Sequence, residues 1–447
     1  MKTMTLTMGL GLALALGVQA AERVVGYYPS WIRYTTPAAK IRYQDVTTIA
    51  HSFIWPRPDG TLDMYSDLLY PELITRAHAA GVKVIVSIGG WGQCDGFAPM
   101  AASSTTRQAF VDKVTAFLQQ NGYDGIDLDW EYPTGAVQRA NFTLLVREFR
   151  KAFDALQPAW TISFVVPSGT YSASYFDFAG LREYVSWIGC MTYDLHGAWT
   201  SHAGHNSPLY APANEPEGSI DSAVRYLLGL GLAREKLLIG VPFYGRQFAA
   251  TGLYAPASGG EEITYAQLIA AVKPDWTRQW DDLAKVPYYQ NGAHTLFITF
   301  DDTAAVRYKC AYVRSNALGG LIIWALGQDN LGTSQPLAQA IGDHLTHLTA
   351  SVATPGRLQP EDHELIGCYP NPCNSATRVR FHLEKAGEAT LLLFDLCGRR
   401  LKSLSTGPLD AGWHETVLTL EELSSGIYYL RLAGPDRILT IRLTLIR

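Results

Sequence analysis

The sequence has few cysteines and no surplus of positive charge. The formal net charge of −5 gives no basic surface, so nucleic acid is not an expected partner. No Cys and His spacing indicates a zinc site, and we expect neither a metal nor another cofactor. Six cysteines are too few to act as the main staple of 447 residues, and they are Cys94, Cys190, Cys310, Cys368, Cys373 and Cys397.

Long hydrophobic runs are also absent after the N-terminus. There, Lys2 precedes the apolar run "GLGLALALGV" and the small-residue motif "VQA", a pattern typical of an export signal. We interpret residues 1–20 as a signal peptide that is cleaved after Ala20. The run is shorter than the ~20 residues of a membrane-spanning helix. We therefore expect a secreted monomer without a membrane span.

Short apolar runs instead alternate with amphipathic helical stretches along residues 21–348. Alternating strands and helices predict a parallel sheet, and eight such runs predict a closed (β/α)8 TIM barrel of the α/β class. The eight runs are "RVVGYY", "TTIAHSFIW", "KVIVSIGG", "GIDLDW", "WTISFVVP", "SWIGCMTY", "LLIGVPFYG" and "GGLIIWAL".

Two segments depart from this alternation. The seventh and eighth runs are separated by far more chain than one helix needs, so residues 247–300 are predicted to form a small α+β insertion after strand 7. Residues 349–364 are rich in Pro, Gly and charged residues, a composition that predicts a linker. Residues 365–447 contain short strands with alternating polarity, which predict a C-terminal all-β sandwich domain.

The segment "GYDGIDLDWEYP" places three acids at every second position of a predicted buried strand. Asp127, Asp129 and Glu131 therefore share one face, while the intervening apolar residues face the helices. An ion-pair cluster is disfavoured because the strand contains no Lys or Arg. Carboxyl groups in such a column share protons, so the outermost, Glu131, can stay protonated near neutral pH and act as a general acid.

The same segment resembles the DGxDxDWE signature of family 18 glycoside hydrolases, the chitinases. The resemblance extends from Arg23 to about His347. It is supported by four further motifs: "SIGGW" at Ser87, "MTYD" at Met191, "YGR" at Tyr244 and "IIWALGQD" at Ile322.

This resemblance implies a retaining mechanism in which the 2-acetamido group of the substrate, rather than an enzyme carboxylate, attacks the anomeric carbon. Glu131 would be the general acid and base, Asp129 would hold the acetamido N–H, and Asp127 would tune Asp129. Tyr193 and Asp194 would assist at the acetamido group. The implied substrate is chitin or N-acetylglucosamine oligomers.

Aromatic and polar residues near the strand ends are further candidates for the substrate cleft. By the family pattern Trp324 is the floor on which a sugar stacks, although an apolar-flanked Trp is equally often core. The other candidates are Trp31, Trp91, Trp199, Met191, Tyr27, Tyr244 and Arg246, of which Arg246 is as readily a structural partner. His196 is expected to line the cleft, and a metal site at His202 and His205 is disfavoured because the loop supplies no carboxylate at matching spacing.

The C-terminal region resembles the type A sorting domain of the type IX secretion system, through "CYPNPCNSATRVRF", "LLLFDLCGRRL" and "LSSGIYYLRL". The implied partner is that secretion machinery. Cys373 and Cys397 are either a local disulfide or small core residues. The competing interpretation is an adhesion or carbohydrate-binding sandwich.

Together these patterns predict a secreted chitinase that is extracellular or bound to the cell surface. Two alternatives remain. An endo-β-N-acetylglucosaminidase acting on N-glycans would use the same acids. A non-hydrolytic chitin-binding lectin typically lacks the terminal acid of the signature, which is present here as Glu131.

Overall fold

The structure is a computed structural model that describes residues 22–346, 366–369, 371, 373–383, 385–395, 399–433 and 438–446. The chain divides into two compact units, Met1–Ser351 and Val352–Arg447. The expected signal peptide and linker lie outside the described residues. Within the described segments, every helix is too short or too polar to span a bilayer.

The first unit is built on a closed barrel of eight parallel strands, which confirms the predicted fold class. The barrel order is β1, β14, β8, β7, β6, β5, β4 and β2, and pairing of β1 with β2 closes the ring. The short β3 is an antiparallel partner of β2. The strands are β1 (Arg23–Pro29), β2 (Thr48–Pro56), β3 (Leu62–Met64), β4 (Lys83–Gly89), β5 (Gly125–Asp129), β6 (Thr161–Pro167), β7 (Trp187–Met191), β8 (Leu237–Pro242), β9 (Tyr244–Ala249), β10 (Ser258–Thr264), β11 (Trp276–Asp281), β12 (Val286–Asn291), β13 (Phe297–Thr299) and β14 (Gly320–Trp324).

Helices cover the outside of the barrel, and their ends follow from local sequence. In the longer helices, Ser103 caps the start of α3 by accepting a hydrogen bond from the Thr105 N–H, and Gly122 ends it in the left-handed conformation with φ 76°. The α-helices are α1 (Pro71–Ala79), α2 (Phe97–Ala102), α3 (Ser104–Asn121), α4 (Gly135–Leu156), α5 (Thr170–Ala173), α6 (Phe178–Leu181), α7 (Ile220–Gly229), α8 (Tyr265–Ala271), α9 (Thr303–Ser315) and α10 (Pro336–Ile341). Short 3-10 turns occupy Ser30–Tyr34, Ala38–Lys40, Tyr43–Asp45 and Arg234–Lys236, and a π turn occupies Gly342–Thr346.

The apolar core of this unit has two parts. The larger part lies between the barrel and its helices and includes Ile126, Leu128 and Trp130, which confirms the predicted orientation of β5. Trp130 stacks on Phe97 with ring centroids 5.1 Å apart. The smaller part fills the barrel interior with Val25, Tyr27, Ala50, Ile85, Val165, Trp187, Leu238 and Ile322. The acids of β5 therefore enter an interior that is mostly apolar.

The insertion after the seventh barrel strand is a five-stranded antiparallel sheet with one helix, α8. Its first strand, β9, begins at Tyr244, three residues before the predicted start. Gly245 is required there, because a Cβ at this position would lie 2.3 Å from the Thr299 carbonyl oxygen of β13. The insertion thus packs its strands tightly where it leaves the barrel.

The second unit is a sandwich of two antiparallel sheets, as the alternating pattern predicts. One sheet has the order β15, β16, β19 and the other β18, β17, β20, β21. Val379 and Phe381 of one sheet share a core with Leu391 and Leu430 of the other. Cys373 is a free thiol, and Cys397 lies outside the described residues. The strands are β15 (Ile366–Tyr369), β16 (Ala376–Leu383), β17 (Gly387–Phe394), β18 (Arg400–Leu409), β19 (Gly412–Thr419), β20 (Gly426–Ala433) and β21 (Ile438–Leu445).

A buried ion pair connects α9 to the end of β7. The Lys309 ammonium contacts the Asp301 carboxylate and donates to the Ser207 hydroxyl at 2.7 Å. Ser207 in turn donates to the carbonyl of Thr192, directly before Tyr193. Burial lowers the pKa of Lys309 and raises that of Asp301 to about 6, because both charges have left water. This chain of contacts fixes the backbone that carries Tyr193.

Replacing Lys309 by Met should lower the free energy of unfolding by about 3–5 kcal/mol, because Asp301 is left buried without a cation. Urea unfolding at neutral pH measures this loss. The double variant Lys309→Met/Asp301→Leu should recover most of it. Arg76→Met, which breaks a solvent-screened surface pair with Glu72, should cost much less than Lys309→Met. Equal losses for the single and double variants would contradict this account.

Candidate active site

The carboxyl ends of the barrel strands open into a cleft of about 760 Å³. β5, β7 and β14 end at Asp129, Met191 and Trp324, so these residues meet at the same rim. Of the residues that the sequence predicts for the site, all but Asp127 and His196 line the cleft, namely Tyr27, Trp31, Trp91, Asp129, Glu131, Met191, Tyr193, Asp194, Trp199, Tyr244, Arg246 and Trp324.

Asp127 lies beneath the cleft and is fully hydrogen-bonded. Its Oδ2 accepts from the Tyr27 hydroxyl at 2.7 Å and from the Ser87 hydroxyl at 3.1 Å, and its Oδ1 accepts from Ser163 at 2.7 Å. Burial raises the pKa of Asp127, while the three hydroxyl donors oppose this rise by favouring the carboxylate. Asp127 is thus a buried acceptor whose oxygens are already occupied.

Asp129 lies one step nearer the rim and holds a proton. Burial raises its pKa well above the usual range, and the negative charges of Glu131 and Asp127 raise it further. The hydrogen bond between Asp129 and Glu131 raises the pKa of Asp129 and lowers that of Glu131, so the shared proton rests on Asp129. Among the described residues, none donates to the buried Asp129 Oδ1. That oxygen is free to accept a hydrogen bond from a ligand.

Glu131 lies two residues beyond the end of β5, at the mouth of the column. Burial raises its pKa to about 7, and hydrogen bonds from Tyr132 and Asp129 limit the rise. Its backbone N–H donates to Cys94 Sγ at 3.1 Å, which fixes the turn after the strand. A carboxyl group with this pKa can both give and take a proton near neutral pH.

Asp194 is tied to the insertion. Its backbone has a left-handed φ of 59°, which is uncommon for a residue with a side chain. The Asp194 Oδ1 accepts hydrogen bonds from the Tyr244 hydroxyl at 2.7 Å and from Arg246 Nε at 3.1 Å. Arg246 is therefore a structural partner of Asp194, which was one of the two roles that the sequence allowed. Its side chain also lines the cleft.

Tyr193 stands between Asp194 and the acid column. Its ring meets the Tyr244 ring edge-on, with centroids 6.1 Å apart. Burial and the charges of Asp129, Asp194 and Glu131 raise the pKa of Tyr193 well above its usual range. Its hydroxyl therefore stays protonated and can donate a hydrogen bond into the cleft.

Aromatic rings line much of the cleft. Trp324 is one of them, with ring centroids 5.6 Å from Tyr27 and 5.9 Å from Phe53. Trp91 is 83% exposed and Trp199 60% exposed, so their faces are open to a ligand. Exposed aromatic faces of this kind stack on flat apolar surfaces, such as those of sugar rings.

Several cleft residues were missed by the sequence analysis. Tyr132 directly follows Glu131, and Phe53 lies three residues before the end of β2, so both could have been found from their places near the carboxyl ends of barrel strands. Glu262 belongs to the insertion, and no motif or barrel-strand position in the sequence marks it as a cleft residue. The full set of missed residues is Phe53, Tyr65, Tyr132, Val165, Pro167, Ser168 and Glu262.

Asp124 and His196 are close in sequence to the site motifs but lie outside the cleft. The Asp124 carboxylate accepts from the Val84 N–H at 2.7 Å and lies 2.8 Å from His78 Nε2, so this acid joins β4 and α1 just before β5 begins. The expectation that His196 lines the cleft is wrong. Its side chain is 1% exposed and is held by the His205 carbonyl.

Comparison with known proteins identifies two sequence families in the chain. Residues 23–329 match glycosyl hydrolases family 18, and residues 367–445 match the secretion system C-terminal sorting domain. The first match covers most of the chain and includes the cleft described above.

Similar proteins include Chitinase A1 of Niallia circulans, 33% identical over 63% of this chain and 44% of that protein. A probable endochitinase of Caenorhabditis elegans is 32% identical over 70% of this chain and 57% of that protein. The chain thus spans about half the length of these relatives. Among solved structures, the Ostrinia furnacalis Group IV chitinase has a TM-score of 0.65 and 29% identity, covering 72% of this chain and 99% of that one. A complex of the same chitinase with allosamidin has a TM-score of 0.65 and 28% identity, covering 74% and 100%.

Replacing Tyr132 by Phe should raise the pKa of Glu131 above its value of about 7, because the lost hydroxyl favours the carboxylate. Glu131 should then stay protonated to a higher pH. Carbon-13 NMR titration of the Glu131 carboxyl, identified by its loss in Glu131→Gln, measures the shift. Tyr65→Phe, at another cleft tyrosine, should leave the pKa unchanged. A downward shift in Tyr132→Phe would refute the assigned hydrogen bond.

Proposed function

We propose that this protein, which belongs to glycosyl hydrolases family 18, is a chitinase that hydrolyses β-1,4 linkages between N-acetylglucosamine units. The observation that carries the proposal is the column of Asp127, Asp129 and Glu131, which ends in a carboxyl of pKa about 7 at an aromatic-lined cleft. The similarity to proteins named as chitinases supports the same substrate class.

The reaction begins with a sugar bound over Trp324 and the glycosidic oxygen near Glu131. The protonated Glu131 gives its proton to that oxygen while the bond to the anomeric carbon breaks. The carbonyl oxygen of the substrate's own acetamido group bonds to the anomeric carbon and forms an oxazolinium ion. Water then attacks the anomeric carbon, the bond from that carbon to the acetamido oxygen breaks, and the water gives a proton to the Glu131 carboxylate, which restores the acid with retention of configuration.

Asp129 has the features needed to position the acetamido group. Its Oδ1 is buried and accepts no hydrogen bond from the described chain, so an acetamido N–H can satisfy it. When Glu131 becomes a carboxylate, the proton on Asp129 stabilises it through their hydrogen bond. Asp127 supports Asp129 from below, as its own oxygens are held by hydroxyl groups.

Tyr193 and Asp194 complete the pocket around the acetamido group. The protonated Tyr193 hydroxyl is suited to donate to the acetamido carbonyl oxygen, which orients that oxygen toward the anomeric carbon. Asp194 is held by Tyr244 and Arg246 and adds negative charge beside the developing cation. The remaining candidates bind substrate: Trp31, Trp91, Trp199, Met191, Tyr27, Tyr244 and Arg246 form the walls on which further sugars stack or hydrogen-bond.

The chain also has the parts of an exported protein. We propose that residues 1–20 are a signal peptide, that residues 349–364 link the catalytic barrel to the β-sandwich, and that residues 365–447 direct the protein through type IX secretion. The match of residues 367–445 to the sorting-domain family supports the role of the C-terminal domain.

Glu131→Gln should lower the release of reducing ends from N-acetylglucosamine oligomers by about 10²–10⁴-fold, because the amide cannot donate the proton. Binding of the same oligomers, measured by calorimetry, should persist. Glu262→Gln removes a cleft acid outside the column and should keep most of the turnover.

The same assay separates the alternatives. A wild-type protein that binds chitin oligomers and releases no reducing ends would be a lectin. Release from N-glycan cores without release from chitin oligomers would indicate the endo-β-N-acetylglucosaminidase. Either result would overturn the chitinase proposal.

The sorting role is tested with a reporter protein in a bacterium that has type IX secretion. A reporter that carries residues 1–20 alone should stop in the periplasm. The reporter that also carries residues 349–447 should reach the cell surface or the medium, as measured by fractionation. Periplasmic retention of both reporters would refute the proposal.

A further inference from the structure

Three donor atoms converge outside the cleft, in the loop between β7 and α7. His196 Nε2 lies 3.2 Å from His202 Nε2. Glu215 Oε1 lies 3.3 Å from His196 Nε2 and 3.5 Å from His202 Nε2. None of these residues lines the cleft. The cluster is therefore separate from the acids assigned to the reaction.

The spacing of this triangle fits a tetrahedral metal ion. Zinc is bound by imidazole nitrogens and carboxylate oxygens at about 2.0–2.2 Å. Tetrahedral angles at such an ion place neighbouring ligand atoms about 3.3–3.5 Å apart. The observed separations lie within or close to that range, so the side chains need little movement to hold an ion.

The outer contacts of His196 orient it as a metal ligand. Its Nδ1 lies 2.9 Å from the His205 carbonyl oxygen, which can only accept, so Nδ1 carries the hydrogen. The lone pair of Nε2 then points at His202 and Glu215. Ligating histidines in metal sites commonly donate their other N–H to a carbonyl in this way.

The cluster is buried, so a bound cation would stabilise its carboxylate. The side chains of His196 and Glu215 are 1% and 7% exposed, and that of His202 is 23% exposed. The backbone N–H of Glu217 also donates to Glu215 Oε1 at 3.3 Å. Because the Glu215 carboxylate has left water, it needs a positive charge or further hydrogen bonds close to it.

We propose that His196, His202 and Glu215 bind one zinc ion, with a water molecule as the fourth ligand. Two imidazoles and one carboxylate suit zinc, whereas calcium and magnesium prefer oxygen ligands alone. Each histidine binds through a neutral Nε2, and Glu215 binds as the carboxylate.

The ion would act as a structural clamp between separate parts of the long β7–α7 loop beside the cleft. The loop that bears His202 pairs with the insertion, since the Ala203 N–H donates to the Ala255 carbonyl at 2.9 Å and the Tyr254 N–H donates to the Ala203 carbonyl at 2.8 Å. The same loop carries Trp199, whose ring lies 5.1 Å from the Arg246 guanidinium. Zinc would therefore fix the shape of the loop that carries this cleft wall and pairs with the insertion.

Zinc binding by the full chain tests the proposal. The protein is stripped with EDTA, dialysed, and titrated with zinc chloride by calorimetry, with bound metal counted by mass spectrometry. The wild type should bind a zinc ion at this site, and its melting temperature should rise with zinc, because ligands of the folded state stabilise it. His202→Ala and Glu215→Gln should each bind one zinc ion fewer and lose the rise. His294→Asn replaces an exposed histidine at a positive φ, which Asn tolerates, and should behave as wild type.

Two results would overturn the site. One is a wild type that binds no zinc; the cluster is then an internally hydrogen-bonded group. The other is a His202→Ala variant with undiminished zinc content, which would place the ion elsewhere. Cobalt substitution adds a spectroscopic readout. Nitrogen and oxygen ligands should give the visible bands of tetrahedral cobalt without thiolate charge-transfer absorption. A charge-transfer band that disappears on cysteine modification would instead assign the ion to a thiol.

Discussion

The structure depends on how the charge of three carboxyl groups, Asp127, Asp129 and Glu131, is compensated in the barrel. Among the described residues no Lys, Arg or His forms an ion pair with them, and hydroxyl groups and shared protons compensate their charge instead. Asp127 receives three hydroxyl hydrogen bonds, and Asp129 and Glu131 share a proton across one further hydrogen bond. Because a buried carboxylate without compensation costs several kcal/mol, this arrangement fixes the protonation pattern. That pattern leaves one carboxyl at the rim with a pKa near neutrality.

The scaffold holds the acids from two sides. Lys309 and Ser207 fix the backbone at the end of β7, and Tyr244 and Arg246 of β9 hold Asp194. One support comes from a helix outside the barrel and the other from the insertion. The insertion is therefore part of the site as well as a wall around it.

The barrel and the acid column could be predicted because both follow from short periods in the sequence. Residues two apart on a strand share a face, so Asp127, Asp129 and Glu131 could be placed without coordinates. Glu262 could not, since its position depends on the fold of the insertion. His196 was misplaced because it was assigned by its nearness to Asp194 in the sequence, whereas its side chain is buried against the His205 carbonyl. Glu215 meets His196 and His202 only through loop packing, which no local spacing reveals.

The charges along the cleft have a consequence for the choice of polymer. Besides the protonated Asp129, the acids Glu131, Asp194 and Glu262 line it, against the single lining cation Arg246 among the described residues. Sulfated or uronic-acid glycans would be repelled at the entrance, whereas partly deacetylated chains carry ammonium groups and would be attracted. Under the proposed mechanism, a deacetylated unit over Trp324 has no acetamido carbonyl with which to react. Such chains would be held in the cleft unproductively, so the acids that promote cleavage of one polymer would make its deacetylated form a competitive inhibitor.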